Sequence, residues 1–226
     1  MPRLPITIET LRFAPSLLAA WKKGDRKLLK KSRASKAIKK VVLSRARKGA
    51  GREGFGEAYV ASKLGKSDNG WCTSFNWLSS SKWLDGRGLA SRPEKELQAA
   101  LTKHFGAAAL RELQLRAKEF RASDKRGPNW LQGRSPAAPD LWVISKGEHR
   151  FISCKLGARG RHGVAGLRLI AMHLRPKDGR KVSVQLLNLW PEDRRLPWPT
   201  VTRVGRTPGG GKVWRLQQGY TVGPVE

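Results

Sequence analysis

The chain has 226 residues, 39% of them hydrophobic, and nine Trp, which is enough for one sizeable packed domain and too apolar for wholesale disorder. Its 46 Lys and Arg against 17 Asp and Glu leave a net charge of +29, a self-repelling surface suited to a polyanionic partner, of which nucleic acid is the commonest. Two cysteines exclude a disulfide framework, no Cys/His cluster has zinc-ligand spacing, and no apolar run approaches the ~20 residues of a spanning helix. The expectation is a cytoplasmic, nucleoid-associated protein without a membrane partner, since the opening MPRLPITIETLRFAP lacks the apolar centre of a signal peptide.

Residues 7–21 (TIETLRFAPSLLAAW) read as a short helix broken near Pro15, with a second apolar turn ending at Trp21. Residues 22–52 form a basic belt in which Lys22, Lys23, Lys27, Lys30, Lys31, Lys39, Lys40, Arg45 and Arg47 are candidate nucleic-acid contacts. Leu28, Leu29, Ile38, Val41, Val42 and Leu43 interleave, so the belt is partly helical: a solvated arm, or one that orders on a phosphate backbone. Gly49, Gly51, Gly54 and Gly56 are too irregular for a phosphate-binding loop and lead into a short helix over 57–64. Trp71, Phe75, Trp77 and Trp83 follow in a Ser- and Gly-rich stretch. Packing is their favoured use and base stacking the other.

Residues 91–106 (SRPEKELQAALTKHFG) are the best-marked helix. Ser91 can cap it, Pro93 suits its first turn, Gly106 stops it, and Leu97, Leu101, His104 and Phe105 make its apolar face. Glu96 is the expected capping acid. Glu94 falls in line with Leu97 and Leu101, and an acid on that side marks it as a candidate metal ligand. Residues 107–120 suit a second helix or a helix plus strand, and 121–138 a polar, Pro/Gly-rich loop.

Residues 139–156 (PDLWVISKGEHRFISCKL) then read as two strands joined at Gly147. Alternation puts Phe151, Ser153 and Lys155 on one face and Ile152, Cys154 and Leu156 on the other, with Asp140 across from Lys155 at a sheet edge. A basic loop over 157–163 adds Arg159, Arg161 and His162, of which the two arginines are further candidate nucleic-acid contacts. An amphipathic helix over 164–174, a buried strand over 182–190 (VSVQLLNLW) and a hairpin over 191–226 complete the chain.

An acid and a base at one sheet edge suit metal-assisted phosphodiester cleavage. A hard cation such as Mg²⁺ or Mn²⁺ needs one or two carboxylates and keeps several waters, and a nearby Lys offsets the growing charge. Glu94 and Asp140 are the candidate carboxylate ligands, the carbonyl of Cys154 a third, and Lys155 the base.

The motif Pro139-Asp140 followed by Ser153-x-Lys155, with Glu94 on a preceding helix, resembles the PD-(D/E)XK nuclease superfamily over about residues 91–190. The resemblance implies a restriction-endonuclease-like α/β core of αββαβ order around a mixed central sheet. That core would span 53–190, with a basic helical extension over 1–52 and a C-terminal hairpin over 191–226. A narrower likeness covers more of the chain. GREGFGEAY over 51–59, Ser91-x-x-Glu94 and LRELQL over 110–115 are similar to the TnsA-type transposon endonucleases. In those the third motif can be Gln-x-Lys, so a neutral Ser153 falls at a variable position. That likeness implies catalytic Glu94, Asp140 and Lys155, a DNA substrate, and a DDE transposase and AAA+ regulator as protein partners. Two other functions remain open on the residues alone: a nuclease-like fold that only binds DNA or RNA, and a basic RNA-associated protein.

Overall fold

The structure, a computed structural model, describes residues 6–48, 51–65, 68–73, 77–78, 91–123, 136–157, 164–194, 216–217 and 219–222. Among them are the strands β1 (Ile6–Phe13), β2 (Asn69–Cys72), β3 (Leu141–Ser145), β4 (Glu148–Leu156), β5 (Lys181–Pro191), β6 (Leu216–Gln217) and β7 (Gly219–Val222). They form one mixed sheet in the order β2-β3-β4-β5-β1-β7-β6. The pair β3–β4 is an antiparallel hairpin turned at Gly147, whose φ of 92° is left-handed backbone that favours glycine. β4, β5 and β1 run parallel to one another, β3 and β7 flank them antiparallel, and β2 pairs antiparallel with β3 at the edge. The architecture is α/β.

Strand alternation sends side chains into two cores. Trp142, Ile144, Phe151, Val182, Val184 and Leu186 face the first, which is closed by helices α5 (Arg92–Phe105), α6 (Ala107–Ser123) and α7 (Val164–His173) through Leu97, Leu101, Leu113, Leu167 and Ile170. Leu141, Val143, Ile152, Leu187 and Leu189 face the second, closed by α1 (Pro15–Lys22), α2 (Lys27–Lys30), α3 (Lys36–Lys48) and α4 (Phe55–Ser62). α7 is the crossover that joins the parallel pair β4–β5.

Two expectations for the N-terminal part are corrected. Residues 7–13 are strand, not helix, because Ile6, Thr7, Ile8 and Thr10 are β-branched and the segment reaches both cores by alternation, Ile6 into the first and Phe13 into the second. The helix begins only at Pro15, its first residue. The basic belt is not an extension with a boundary at 52. β1 is hydrogen-bonded between β5 and β7, and Trp21, Leu29, Ile38, Val42 and Ala46 pack against strand residues in the second core. Each fully buried Leu, Ile or Val of the belt contributes about 1.5–3 kcal/mol of transfer free energy, enough to order it against its own charge repulsion.

The packing use of tryptophan is seen for Trp77, buried in the first core, and Trp71, stacked on Trp142 at 4.6 Å. Phe75 and Trp83 lie outside the described residues. Residues 107–123 are a single helix without a strand. Of the C-terminal hairpin, β6 and β7 are described, and β7 extends the main sheet by pairing with β1. The expected partner strand PTVTRVG and the loop over 208–211 lie outside the described residues.

Candidate active site at the end of the central hairpin

Asp140 immediately precedes β3, and its backbone is fixed from both sides. Its N–H donates to the Ile152 carbonyl at 2.8 Å, and its own carbonyl accepts from the Thr73 N–H at 2.9 Å. The buried Thr73 hydroxyl also donates to the carbonyl of Pro139. Beyond this point β3 no longer covers β4, and the Asp140 side chain replaces it: Oδ2 accepts from the Cys154 N–H at 2.7 Å. The N–H and C=O of one strand residue point the same way, so the Cys154 carbonyl also faces this gap. Lys155 reaches the same oxygen, its Nζ 3.9 Å from Asp140 Oδ2. The expected pairing of Asp140 with Lys155 is what the structure places here.

The helix-borne acid beside them is Glu57, which the sequence reading passed over. α4 starts at Gly54, whose φ of 74° sets the left-handed turn into the helix. A Cβ on Gly56 would lie 3.3 Å from Cys154 Cβ and 3.2 Å from Leu189 Cδ1, so only glycine lets α4 settle this close to β4 and β5. The next residue, Glu57, is then 7% exposed and ion-paired with Arg45 of α3. Burial raises its carboxyl above the ordinary range, and the charge of Asp140 raises it further, while Arg45 and Lys155 pull the other way. Asp140 is also raised by burial, against Lys155, the Cys154 N–H and Arg45. Two carboxyls thus share one small, partly dry place. Glu57 was legible in principle as the single charge in FGEAYVAS, a helix otherwise apolar apart from Ser62.

Glu94 is corrected to a capping role. Its Oε2 accepts from the Ser91 N–H at 3.0 Å and the Ser91 hydroxyl at 2.9 Å, and the Ser91 oxygen receives the Glu94 N–H: a reciprocal capping box. Glu96, the acid expected to cap, is instead paired with Arg92 at 2.7 Å on the helix surface. The spacing Ser91-x-x-Glu94 carried this signal in full. Ser153 is 1% exposed on the same face as Phe151, and its hydroxyl has no hydrogen-bond partner. Burial pushes the Cys154 thiol well above its ordinary range, with Asp140 and Glu57 adding to it, so the sulfur is neutral and only the backbone of this residue serves the site.

The basic candidates divide. Lys22, Lys23, Lys27, Lys30, Lys31, Lys40 and Arg47 are exposed around α1, α2 and α3. Lys39 turns back to donate to the carbonyls of Lys30 at 3.1 Å and Ser32 at 2.7 Å, and Arg45 is spent on Glu57. Burial works against the Arg45 charge, but Glu57 and its neighbours raise the pKa overall. Arg159 and Arg161, with His162, lie outside the described residues.

A second cluster joins His104 of α5, His149 of β4 and Asp178, whose ligand atoms lie within 4.8 Å of one another. The Trp142 indole N–H donates to His149 Nδ1 at 3.2 Å, and an indole nitrogen can only donate. His149 therefore carries its proton on Nε2, which faces the Asp178 oxygens at 3.0 and 3.2 Å. A nitrogen holding a proton has no lone pair for a metal, so Trp142–His149–Asp178 is a hydrogen-bond relay running from two buried rings to an exposed carboxylate. No spacing along the chain signals this cluster, because Asp178 comes from the loop between α7 and β5.

No protein-family model, no curated protein and no solved structure matches this chain. Among the described residues, no helix is long and apolar enough to cross a membrane.

Proposed function

We propose that the protein is a metal-dependent nuclease that cuts DNA phosphodiester bonds at Asp140, Glu57 and Lys155. The observation that carries this reading is the meeting of a buried and a half-buried carboxyl, both proton-hungry, with one ammonium group at the point where β3 gives way and β4 runs on uncovered. The donor set fits a hard cation: the carboxylates of Glu57 and Asp140 and the carbonyl of Cys154 are all oxygen ligands of the kind Mg²⁺ or Mn²⁺ takes. When bound, such an ion would polarise the phosphate and acidify a water. Lys155 holds positive charge beside Asp140, where charge grows on the phosphoryl oxygens. Arg45 orients Glu57 and opposes the rise that burial and Asp140 impose on its carboxyl. The exposed lysines of α1 to α3 supply a phosphate-tracking surface on the same side of the sheet as α4.

The helix, β3–β4 hairpin, α7 crossover and parallel β5 also support a restriction-endonuclease-like core, with α4 rather than α5 carrying the acid. The likeness to TnsA-type endonucleases extends the proposal to 5′-end cleavage within a transposition assembly, alongside a DDE transposase and an AAA+ regulator, in a nucleoid-associated setting. A binding-only reading rests on one observation: Ser153 offers a neutral hydroxyl where a third acid would strengthen the metal site.

Supercoiled plasmid, linear duplex and single-stranded RNA incubated with Mg²⁺ or Mn²⁺ separate these readings. Nicking of DNA that disappears in Asp140→Asn, Glu57→Gln and Lys155→Ala, and survives in Glu94→Ala, is the expected outcome. Salt-sensitive binding without cleavage in either metal, alone or with a transposase, would leave the binding-only reading standing. Cleavage that persists in Asp140→Asn would remove the site.

A further inference from the structure

Asn188 lies on β5, in register with Lys155 of β4 on one side and Thr10 of β1 on the other. Register partners in parallel strands point to the same face, and the pairs around it agree: Phe151 and Val184 both enter the first core, while Ile152 and Leu189 enter the second. Continuing the alternation from Val182, Val184 and Leu186 puts Asn188 on the face of Ser153 and Lys155. It stands near the carboxyl end of its strand, the end at which open α/β sheets hold ligands.

Asn188 is 8% exposed, and its amide makes no hydrogen bond among the described residues. A leucine at this position would continue the apolar Val182–Leu186 run. The neighbouring Ser153 hydroxyl is fully buried and unpaired, whereas the Asn188 amide, without a partner, is not among the fully buried groups and keeps contact with solvent at the end of its strand. An amide left open in register with Lys155, on a side chain otherwise packed in place, can serve a bound partner without the fold depending on it.

Resting on the reading that Lys155 lies beside the scissile phosphate, we infer that Asn188 is a substrate-binding residue whose Nδ2–H donates to a non-bridging oxygen of that phosphate. An amide suits this task. It donates without carrying charge, so it adds a fixed hydrogen bond next to Lys155 without adding to cation repulsion in a chain of net charge +29.

The role as phosphate donor separates from a metal-ligand role by the sign of one substitution. Asn188→Ala removes the donor. Asn188→Asp removes it and places a negative charge against the phosphate, yet it would improve the residue as a ligand for a cation. With a short duplex and Mg²⁺, Asn188→Ala is expected to lower kcat/KM by roughly 10- to 100-fold, the loss of one hydrogen bond to a charged group. Asn188→Asp should lose more, and melting temperature should not fall in Asn188→Ala.

A second measurement does not depend on cleavage. The Asn188 side-chain amide signals, assigned by their absence in Asn188→Ala, should shift when a four-nucleotide DNA is titrated into the protein in Ca²⁺. Signals that stay in place while those of Lys155 move would overturn the inference, as would Asn188→Asp cleaving better than Asn188→Ala. Signals that shift in a protein that cleaves DNA with neither Mg²⁺ nor Mn²⁺ would keep Asn188 as a phosphate contact and remove the nuclease reading. Cleavage by wild type with the Asn188 signals unmoved would do the reverse.

Discussion

Glu57 and Asp140 set the balance between stability and chemistry. Both carboxyls are raised, first by burial, so the folded state binds protons more tightly there than the unfolded chain does. The sign follows directly: above the raised folded pKa these groups cost stability, and the cost fades as pH falls through it towards the unfolded value. Glu57→Gln and Asp140→Asn, which keep the shape and discharge the site, should therefore melt higher than wild type at neutral pH while losing nicking activity. Mg²⁺ should raise the melting temperature of wild type by binding the folded state, and should do so much less in either variant. Thermal melts at pH 5 and 7.5, with and without Mg²⁺, check both statements. An equal Mg²⁺ response in Asp140→Asn would place the ion elsewhere.

At the scale of elements, α4 depends on how closely it can approach β4. Gly56→Val would set branched methyls against Cys154 Cβ, which belongs to a strand and cannot yield, although the Leu189 side chain can. Overpacking of this kind costs about 1–3 kcal/mol. The larger effect should be on activity, because displacing α4 carries Glu57 away from Asp140. A variant that loses a few degrees of melting temperature and nearly all nicking is the expected result, measured by calorimetry and the plasmid assay.

The first core has its own tie in the relay from Trp142 through His149 to Asp178. Burial acts on Asp178 in the raising direction, but the His149 and Arg180 hydrogen bonds outweigh it, and its carboxyl lies below the ordinary range. The stability it contributes is complete above the unfolded value of about 3.9 and is lost as pH falls through the lower folded one. Asp178→Ala leaves the His149 N–H buried without an acceptor, a cost of about 1–3 kcal/mol, whereas Asp178→Asn keeps an oxygen there and should cost less. Urea denaturation at pH 7 distinguishes the two variants.

How legible these elements were depends on where each signal lives in the chain. α5, the β3–β4 hairpin, α7 and β5 were readable because capping chemistry, alternation and apolar period are local. Asp140 and Lys155 were readable for the same reason, since fifteen residues of hairpin fix their relation. Glu57 was not, because its meaning depends on α4 being laid across β4 and β5, a contact made by Gly56 with residues about a hundred positions later. Glu94 shows the converse. A reciprocal cap spans three residues, and helical alignment with Leu97 was the weaker of two local signals. β1 reads as helix because an eight-residue strand next to a helix start offers little period of its own, and its strand character is settled by pairing with β5.

Among the described residues, the positive charge of the N-terminal belt is displayed by helices rather than by an arm. α3 turns Ile38, Val41, Val42 and Ala46 inward and Lys36, Lys40 and Arg47 outward, and Lys22, Lys23, Lys27, Lys30 and Lys31 continue the exposed surface. A surface held in place loses little conformational entropy on binding, unlike a segment that must order. Replacing Lys27, Lys30, Lys36 and Lys40 by Ala should weaken duplex binding and reduce the slope of log affinity against log salt by about 3–4, at roughly 0.9 per phosphate contact. Melting should be unchanged or slightly improved, since these exposed side chains repel one another and their one acid contact among the described residues, Lys27 to Asp25 at 4.0 Å, is a solvent-exposed pair worth little. Fluorescence anisotropy across a salt series measures the slope, and a full slope in the quadruple variant would move the interface to another face.

The place of β1 in the sheet has a consequence for how the molecule comes to be. Ile6 aligns with Val184, and Phe13 with Pro191, so a strand synthesised early must wait for one made late before it can pair. Loop closure over that distance is slow, and such a chain has high contact order. Its basic helices are synthesised well before β5, when the shelf on which Glu57 meets Asp140 does not yet exist. On the proposed nuclease reading, the nascent chain would carry its phosphate-tracking surface before it has a site with which to cut, so that grip precedes reactivity in the order of assembly.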